Sequence, residues 1–313
     1  LMMRARKLLA EGKNVVGVSL PVKIFEPRSL IERITDWWAF GPIYLRRAAH
    51  IKDPVERLKN VMTFAVSGLY MGCKQMKPFN PILGETYQGF WPDGTEIYCE
   101  HTSHHPPITN FCVTDPNKEF TFSGYYEYRG KVLKLGNAVA VHGYGPNRIK
   151  FADGSLIEFN LPPVRLSGFL WGARLIEWID FLNFEDKTNG ISGVIKFYKN
   201  DSVFGKDKHP SDYFEGTIHD TADPKQIHSE IKGYWTSYIE FDGHKYWDLE
   251  KINPVSVHHT ADPLPSDCRF REDMEWLLKN DQDKSQEHKI RLEEIQRRDR
   301  RLRTEHGPKK KHQ

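Results

Sequence analysis

The chain has 313 residues, of which 39% are hydrophobic, 12% aromatic and 28% charged. Such proportions are typical of a folded globular protein, and the aromatic residues are numerous enough to fill a large core or line a ligand cavity. The 45 lysine and arginine residues barely exceed the 42 acidic residues, and the net charge is only +3. Because this overall charge does not favour nonspecific nucleic-acid binding, we expect no nucleic-acid partner.

The cysteines and the apolar segments indicate the setting of the protein. The four cysteines form no C-x-x-C pair and no dense disulfide spacing, which favours a reducing, cytoplasmic setting. The longest apolar stretch, residues 62–72, is shorter than the ~20 residues that a membrane-spanning helix needs. We therefore expect only peripheral contact with membranes. The start at Leu1, inside a helical pattern, leaves open whether further domains precede it.

The first residues predict a short amphipathic helix that ends at Gly12. Its apolar positions recur at helical spacing with basic residues between them: Leu1, Ala5, Leu8 and Leu9, separated by Arg4, Arg6 and Lys7. From the pattern alone, packing on its own domain is the simpler interpretation and membrane contact is the alternative. A valine-rich run over residues 15–22 then predicts extended chain.

Two further helices are expected in the first quarter of the chain. Ser29 and Glu32 have the spacing of a capping box, which predicts a helix up to about Trp38. Asp53 and Pro54 are typical of another helix start. That helix carries apolar residues on one face: Val55, Leu58, Val61, Met62 and Ala65.

From Thr86 to about Trp247 the apolar pattern changes to a period of two, as at Phe120 and Phe122. Strand follows strand without intervening helices, which predicts an antiparallel meander closed into a barrel or sandwich. From Phe270 to Arg303 there is neither proline nor glycine, and helix is expected again. Since no repeat or low-complexity linker interrupts this order, we predict a single domain over residues 1–313. Its regions are residues 1–18, helical residues 19–85, β residues 86–262 and helical residues 263–313.

No common enzyme motif is present: the sequence lacks G-x-S-x-G, H-E-x-x-H and the phosphate-binding loop G-x-x-x-x-G-K-[ST]. Hydrolysis of a lipid ester with a histidine as base would need a placed nucleophile, and none is evident. We therefore predict that the protein is not an enzyme.

Three polar clusters are candidates for binding. The first is His104 and His105, which precede two prolines. Because neighbouring side chains of a regular strand point to opposite faces, the two histidines can share a ligand only if the prolines interrupt the strand. No further metal ligand stands close by in sequence, and structural or exposed histidines are the ordinary alternative. Lys77 and Asn80 lie in a proline-stiffened segment that can recognise a phosphate or simply connect a helix to a strand. The third cluster is a helical stripe, with a solvated ion-pair ladder as its ordinary interpretation: Lys289, Glu293 and Arg297.

Together, these segments resemble the oxysterol-binding protein family. Residues 103–107, Ser-His-His-Pro-Pro, are similar to the end of the family's E-Q-V-S-H-H-P-P signature. Glu100 also matches, whereas His101 and Thr102 stand where the family usually has glutamine and valine. Similar segments occur in the same order along the chain: residues 20–22, 25–29, 64–67, 77–87, 264–271 and 291–298.

The resemblance implies a mainly β fold with flanking helices (α+β), an incomplete antiparallel β-barrel around a hydrophobic lipid tunnel, with an N-terminal lid and a C-terminal helical region. It implies that the tunnel mouth binds the headgroup of phosphatidylinositol 4-phosphate. The implied headgroup residues are Lys77, Asn80, His104, His105, Lys289 and Arg297, with Glu293 among them. The lid would be residues 1–18 with Leu20, and its apolar residues are Leu8, Leu9, Val15, Val16, Val18 and Leu20. No cofactor and no metal are implied.

The function implied is lipid transfer: phosphatidylinositol 4-phosphate is exchanged between membranes for a second lipid, with sterol as the first expectation and phosphatidylserine as the alternative. A phosphoinositide or sterol sensor without net transfer is a different possibility. We expect a cytoplasmic monomer that works peripherally at membranes or membrane contact sites. Each methylene buried in the tunnel would contribute ~0.8 kcal/mol, comparable to its burial in a bilayer, so exchange is energetically feasible.

Overall fold

The computed structural model describes residues 20–73, 76–133, 136–198 and 209–306. The amphipathic helix expected at the N-terminus, and with it the lid residues Leu8, Leu9, Val15, Val16 and Val18, lies outside the described residues. None of the described helices is long and apolar enough to cross a membrane.

The described helices are α1 Leu30–Trp37, α2 Gly41–His50, α3 Pro54–Ser67, α4 Glu272–Leu278 and α5 Gln282–His306. Helix α3 begins as predicted, because the Asp53 carboxylate accepts a hydrogen bond of 2.7 Å from the Glu56 amide and Pro54 occupies the first turn. Helix α1 also begins after Ser29, but the expected capping box is wrong. The Ser29 hydroxyl donates to the Glu85 carboxylate instead of capping the helix.

The C-terminal region is helical as predicted, although it forms two helices instead of one. Helix α4 ends at Leu278, and Asn280 then adopts a left-handed backbone with φ of 61°. Asparagine tolerates this conformation better than most residues, so the chain reverses here without glycine. The Ser285 hydroxyl donates to the Asp273 carbonyl over 2.7 Å and ties α5 back onto α4.

The strands of the described residues are β1 Phe25–Ser29, β2 Lys77–Phe79, β3 Thr86–Phe90, β4 Glu96–His104, β5 Pro107–Thr114, β6 Phe120–Leu133, β7 Ala138–Tyr144, β8 Asn147–Phe151, β9 Leu156–Phe159, β10 Val164–Ser167, β11 Leu175–Trp178, β12 Asp180–Asp186, β13 Ile191–Phe197, β14 Tyr213–Asp220, β15 Ile227–Tyr234, β16 Tyr238–Phe241, β17 His244–Asp248 and β18 His258–His259. The predicted start of the β region at Thr86 coincides with the start of β3, and the predicted end near Trp247 falls within β17.

Most of these strands form one large antiparallel sheet. It contains 16 strands, and its main path runs from β17 through β12, β6 and β3 to β18. The two ends of this path do not pair with each other, so the barrel is incomplete, as expected. Strands β1 and β2 form a separate parallel pair. This pair carries the Lys77 segment beside the C-terminal helices.

The sheet and the N-terminal helices share one core. Strand β4 shows the alternation that a one-sided sheet requires, with Ile97 and Cys99 buried and Tyr98 exposed. Trp38, which follows α1, packs against rings from both layers: Phe64 of α3 at 5.4 Å, Phe111 of β5 at 5.7 Å and Phe122 of β6 at 4.8 Å between ring centroids. The helices are therefore anchored to the inner face of the sheet by aromatic packing.

Candidate functional site

A small apolar cluster joins the two ends of the chain. Val22, Phe25, Phe79 and Met274 are buried together, and Leu20 packs partly buried against them. These residues come from the N-terminal segment, the β1–β2 pair and α4. Apolar burial of this kind holds segments together without directional bonds. The cluster therefore fixes the Lys77 segment beside α4.

Two lysines predicted to act together do meet here. The Nζ atom of Lys77 lies 4.9 Å from the centroid of the Phe25 ring, and the Nζ atom of Lys289 lies 5.5 Å from the same centroid. An aromatic face attracts a cation, so one ring supports both ammonium groups.

Lys77 contacts a residue of the cavity lining but does not itself line the cavity. Its ammonium donates to Asn80 Oδ1 over 2.6 Å and to the Pro78 carbonyl over 3.1 Å. Asn80 lines the cavity described below, whereas Lys77 is absent from its lining. Burial, together with the charges of Lys289 and Arg271, lowers the pKa of Lys77 to about 8.

A cavity of about 310 Å³ collects most of the predicted site residues. Its polar lining consists of Asn80, His101, His104, His105, Tyr128, Arg271, Lys289, Glu293, Gln296, Arg297 and Arg300. Its apolar lining consists of Phe25, Leu30, Phe79, Pro81, Ile82, Pro107 and Leu292. One cavity thus offers cations and neutral donors beside an apolar wall.

The two signature histidines lie where β4 gives way to β5. Strand β4 ends at His104 and β5 begins at Pro107, so the prolines interrupt the alternation and both rings line the same cavity. Their ring centroids are 4.9 Å apart. Burial, His105 and Arg300 lower the pKa of His104 to about 4, partly offset by Glu293. Burial and Arg300 also lower the pKa of His105, so the site holds neutral imidazoles near pH 7.

The stripe on α5 forms the ion-pair ladder that its spacing suggests, but the ladder faces the cavity. Lys289 donates to the Glu293 carboxylate, and Arg297 donates to the same carboxylate over 2.9 Å. Lys289 is only 6% exposed, whereas the Arg297 side chain is 58% exposed. The stripe therefore runs from the interior of the cavity to its rim.

Sequence reasoning missed several residues of the lining. Arg300 lies three residues after Arg297 and shares its face of α5, whereas continuing the stripe at its spacing of four would have pointed to Arg301. Tyr128 lay outside every matching segment, and Gln296 lay within residues 291–298 without being singled out. Gln296 Nε2 and Tyr128 Oη have no hydrogen-bond partner among the described residues. Arg271 lay in a matching segment, and its charge is compensated by Glu85 at 2.9 Å and Asp273 at 2.6 Å.

Arg271 also explains how the loop carrying Asn80 is held. Its guanidinium donates to the Asn80 carbonyl over 2.7 Å and to the Glu85 carboxylate over 2.9 Å. Glu85 in turn accepts from the Ile82 amide over 2.9 Å. A buried, fully paired ion network of this kind keeps its members in one arrangement. Arg271 thus orders the rim of the cavity while its own charge is largely neutralised.

The arrangement is suited to binding an anion attached to an apolar body. Arginine, lysine and imidazole N–H groups are strong donors to phosphate oxygens. Within the part of the chain that the structure describes, no group of three histidine, cysteine or acidic side chains is placed to hold a metal ion.

Comparison with known proteins identifies the relatives of this chain. The family model described as oxysterol-binding protein matches residues 7–262, so α5 lies beyond the matched region. Oxysterol-binding protein 9 of Dictyostelium discoideum is 33% identical over 307 residues, covering 92% of this chain and 71% of that protein. Oxysterol-binding protein-related protein 8 of Mus musculus is 29% identical, covering 96% of this chain but only 35% of that protein.

Solved structures show the same fold. The Osh3 ORD of Saccharomyces cerevisiae, in complex with PI(4)P, superposes with a TM-score of 0.79 at 24% identity, covering 95% of this chain and 83% of that one. The Osh1 ORD domain, in complex with cholesterol, gives a TM-score of 0.79 at 21% identity, covering 96% and 79%. With a family model matching most of its length and a relative 33% identical across 92% of it, the chain belongs to the oxysterol-binding protein family.

Proposed function

We propose that this protein binds phosphatidylinositol 4-phosphate with its headgroup in the cavity and carries the lipid between membranes in exchange for a second lipid, a sterol. One observation carries the proposal. Residues 80, 104–105 and 289–300, from distant parts of the chain, converge on one cavity that is lined by both cationic and apolar side chains. Relatives of the same fold are in complex with PI(4)P, cholesterol and ergosterol.

The headgroup phosphate would be held by donors of three kinds. Lys289 and Arg297 supply permanent charge, and the arginine fork can donate to two phosphate oxygens at once. His104 and His105 supply ring N–H groups, and Asn80 supplies an amide. Each charge-assisted hydrogen bond contributes roughly 1.5–3 kcal/mol, so losing two of them weakens binding on the order of a hundredfold or more.

The rest of the lipid would leave the headgroup along apolar side chains of the cavity lining, which include Ile82 and Leu292. Leu20 packs on the cluster that contains Phe25, which supports a lid formed by residues 1–18 that would join the described fold near the cavity. A segment placed there can close over a bound lipid and shield it from water during transfer.

The chain acts here as a carrier without a chemical step, at the cytoplasmic surface of two apposed membranes. A sterol presents one hydroxyl and relies on apolar burial, so it does not depend on the cationic wall. Phosphatidylserine, in contrast, would place its own phosphate on that wall. The two candidates for the second lipid therefore differ in their dependence on the same side chains.

A vesicle assay tests the proposal directly. Donor vesicles contain phosphatidylinositol 4-phosphate, acceptor vesicles contain a fluorescent sterol, and both movements are followed. We expect each lipid to accelerate transfer of the other. Binding of the phosphoinositide without its appearance in acceptor vesicles would indicate a sensor, and failure to extract it would overturn the headgroup assignment.

A matched pair of α5 variants makes the assay specific. Arg297→Ala removes a cavity cation, whereas Arg301→Ala removes an arginine four residues further along the helix that does not line the cavity. We expect the first to reduce phosphoinositide extraction at least tenfold and the second to leave it within twofold. Equal losses would show that general surface charge, and not the cavity, governs extraction.

A further inference from the structure

His101 occupies the signature position at which the family usually has glutamine, and it is buried. It is 1% exposed and lies on β4 directly across from Thr109 of β5. Its Nδ1 atom is 3.1 Å from the Thr109 hydroxyl, and its Nε2 atom is 3.1 Å from Nδ1 of His104. Both nitrogens of this buried ring therefore take part in one chain of hydrogen bonds that ends at His104.

This chain of hydrogen bonds leaves one nitrogen of the His104 ring available to bind a ligand. Nδ1 of His104 is engaged by His101, and among the described residues its Nε2 atom has no hydrogen-bond partner. A neutral imidazole has one donor and one acceptor nitrogen, and the partner of one nitrogen decides the state of the other. When His101 Nε2–H donates to His104 Nδ1, the proton of neutral His104 lies on Nε2.

The same chain of hydrogen bonds can also form when His104 is protonated on both nitrogens. Then His104 Nδ1–H donates to His101 Nε2, and the His101 proton lies on Nδ1 and is donated to Thr109 Oγ1. The threonine hydroxyl can act as donor or acceptor, so both arrangements are fully satisfied. In both, His104 Nε2 carries a proton. In the third arrangement that the geometry permits, neutral His104 is protonated on Nδ1 and its Nε2 has no proton, so the tautomer of His104 distinguishes these cases.

We propose that His101 is a positioning residue: it orients the His104 ring and holds a proton on His104 Nε2, so that this edge donates to the headgroup phosphate. The inference rests on the proposed function and adds a residue that does not itself touch the ligand. Glutamine could fill the same role, because its amide offers both a donor and an acceptor and can rotate to exchange them.

The charges around the two rings support a proton uptake on binding. Burial, His104 and Arg271 lower the pKa of His101 to about 3, so this ring stays neutral. His104 faces His105, Arg300 and Glu293, and in the empty site its pKa is about 4. A bound phosphate adds negative charge beside His104 and raises its pKa. His101, which remains neutral, can then accept a hydrogen bond from the Nδ1–H group of protonated His104.

Three substitutions test the role. His101→Leu removes the hydrogen bonds, His101→Gln restores a donor and an acceptor, and Thr109→Val cuts the chain one step earlier while leaving His101 in place. Binding is measured with vesicles containing phosphatidylinositol 4-phosphate between pH 5.5 and pH 7.5, on proteins whose thermal unfolding confirms that they are folded. We expect His101→Leu to weaken binding about tenfold and flatten its pH profile, with His101→Gln within threefold of wild type.

A readout without lipid separates this inference from the proposed function. Nitrogen-15 NMR of the imidazoles in the lipid-free protein reports the His104 tautomer directly. We expect His104 to be protonated on Nε2 in the wild type and to lose this preference in His101→Leu and in part in Thr109→Val. An unchanged His104 tautomer in folded His101→Leu would overturn the positioning role, even with phosphoinositide binding intact. Wild-type protein that has the predicted tautomer but binds no phosphoinositide would instead overturn the proposed function.

Discussion

Two titratable side chains, one lining the cavity and one behind its lining, are held in forms that a bound anion would change. Lys77 and His104 both have a lowered pKa, about 8 and about 4, because each is buried and lies beside other cations. Desolvation and like charges penalise their protonated forms, and a bound phosphate opposes both effects. Headgroup binding is therefore expected to be coupled to the protonation of these residues.

Lys77 gives the clearest pH dependence. Its pKa of about 8 in the empty site rises when an anion binds, so above pH 8 the ligand binds only with uptake of a proton. The phosphate monoester is fully ionised there and adds no slope of its own. We expect headgroup affinity to fall about tenfold from pH 7 to pH 9 in wild type. In Lys77→Gln, titration calorimetry should find weaker binding that is nearly independent of pH over this range, and a persisting slope would assign the effect to another group.

His104 and His105 are expected to contribute to phosphoinositide extraction and not to sterol uptake. His104→Ala with His105→Ala should reduce phosphoinositide extraction by on the order of a hundredfold and leave sterol uptake within twofold, since a sterol has no phosphate to lose. His258→Ala with His259→Ala is the matched control, because these adjacent histidines are exposed on β18. Loss of both lipids in a folded double variant would favour phosphatidylserine as the second ligand.

Two neighbouring tyrosines of β6 differ in their hydrogen bonding. The buried Tyr126 hydroxyl donates to Asn147, whereas the hydroxyl of Tyr128, a residue that lines the cavity, is buried without a partner among the described residues. We expect Tyr126→Phe to lower the free energy of unfolding by about 1 kcal/mol and Tyr128→Phe to change it by less than about 0.5 kcal/mol. Tyr128→Phe should weaken lipid binding instead. Denaturant unfolding checks the first two values, and equal stability losses would mean that Tyr128 has a partner in solution.

At the scale of elements, α5 carries an acid among the cations that would bind phosphate. Glu293 accepts hydrogen bonds from both Lys289 and Arg297. This pairing stabilises the empty site, but its carboxylate competes with an incoming anion. Under the proposed function, the two cations of α5 that pair with this internal acid would pair with a phosphate once the headgroup binds.

Glu293→Gln tests this competition. The neutral amide leaves Lys289 and Arg297 less well compensated, so the ligand-free protein should melt at a lower temperature. Headgroup affinity should rise several-fold, because like charge no longer faces the phosphate. Calorimetric melting and vesicle binding are the measurements. Weaker binding together with a lower melting temperature would show that Glu293 orients the two cations for the ligand and does not compete with it.

How far the elements follow from the sequence depends on whether local signals decide them. Asp53 and Pro54 mark the start of α3, and residue alternation marks the strands, because these signals reflect local geometry. Helix α2 was not predicted, because a glycine followed by a proline is typical of a break between helices. In the structure, Gly41 and Pro42 instead lie in the first turn of α2, where proline is tolerated. The reversal at Asn280 depends on a single left-handed residue within a strongly helical pattern. The Ser29 side chain does not cap α1, because its hydroxyl donates to the buried carboxylate of Glu85, a residue distant in sequence.

The site was partly predictable for a similar reason. Motifs and helical spacing identified six residues that line the cavity: Asn80, His104, His105, Lys289, Glu293 and Arg297. They could not show that Lys77 lies behind Asn80, that Tyr128 faces inward, or that Arg271 is neutralised by two acids. Those facts depend on packing between segments that lie far apart in the sequence.

At the scale of the whole molecule, Phe25 connects the two ends of the chain. Its ring lies in the small cluster with Val22, Phe79 and Met274 and faces the ammonium groups of both Lys77 and Lys289. The large core around Trp38 is a separate cluster. A change at Phe25 should therefore affect the cavity more than the sheet.

Phe25→Leu and Phe25→Ala separate packing from the aromatic face. Leucine keeps most of the apolar volume and removes the ring, so we expect a loss of headgroup affinity of about threefold to tenfold with little change in stability. Alanine also leaves a cavity and should lower the free energy of unfolding by about 3 kcal/mol. Vesicle binding and denaturant unfolding measure the two effects. Equal headgroup affinity in Phe25→Leu and wild type would mean that the Phe25 ring acts only through its apolar volume, and not through attraction of the two ammonium groups.

The convergence of distant segments on one cavity also links cargo to conformational stability. The unfolded chain has no such site, so a lipid that fills the cavity shifts the folding equilibrium by mass action, by ~2.7 kcal/mol at a hundred times its dissociation constant. Thermal shift measurements with headgroup analogues would report this directly. Under the proposed function, the protein is therefore expected to be least stable in the interval between releasing one lipid and binding the next.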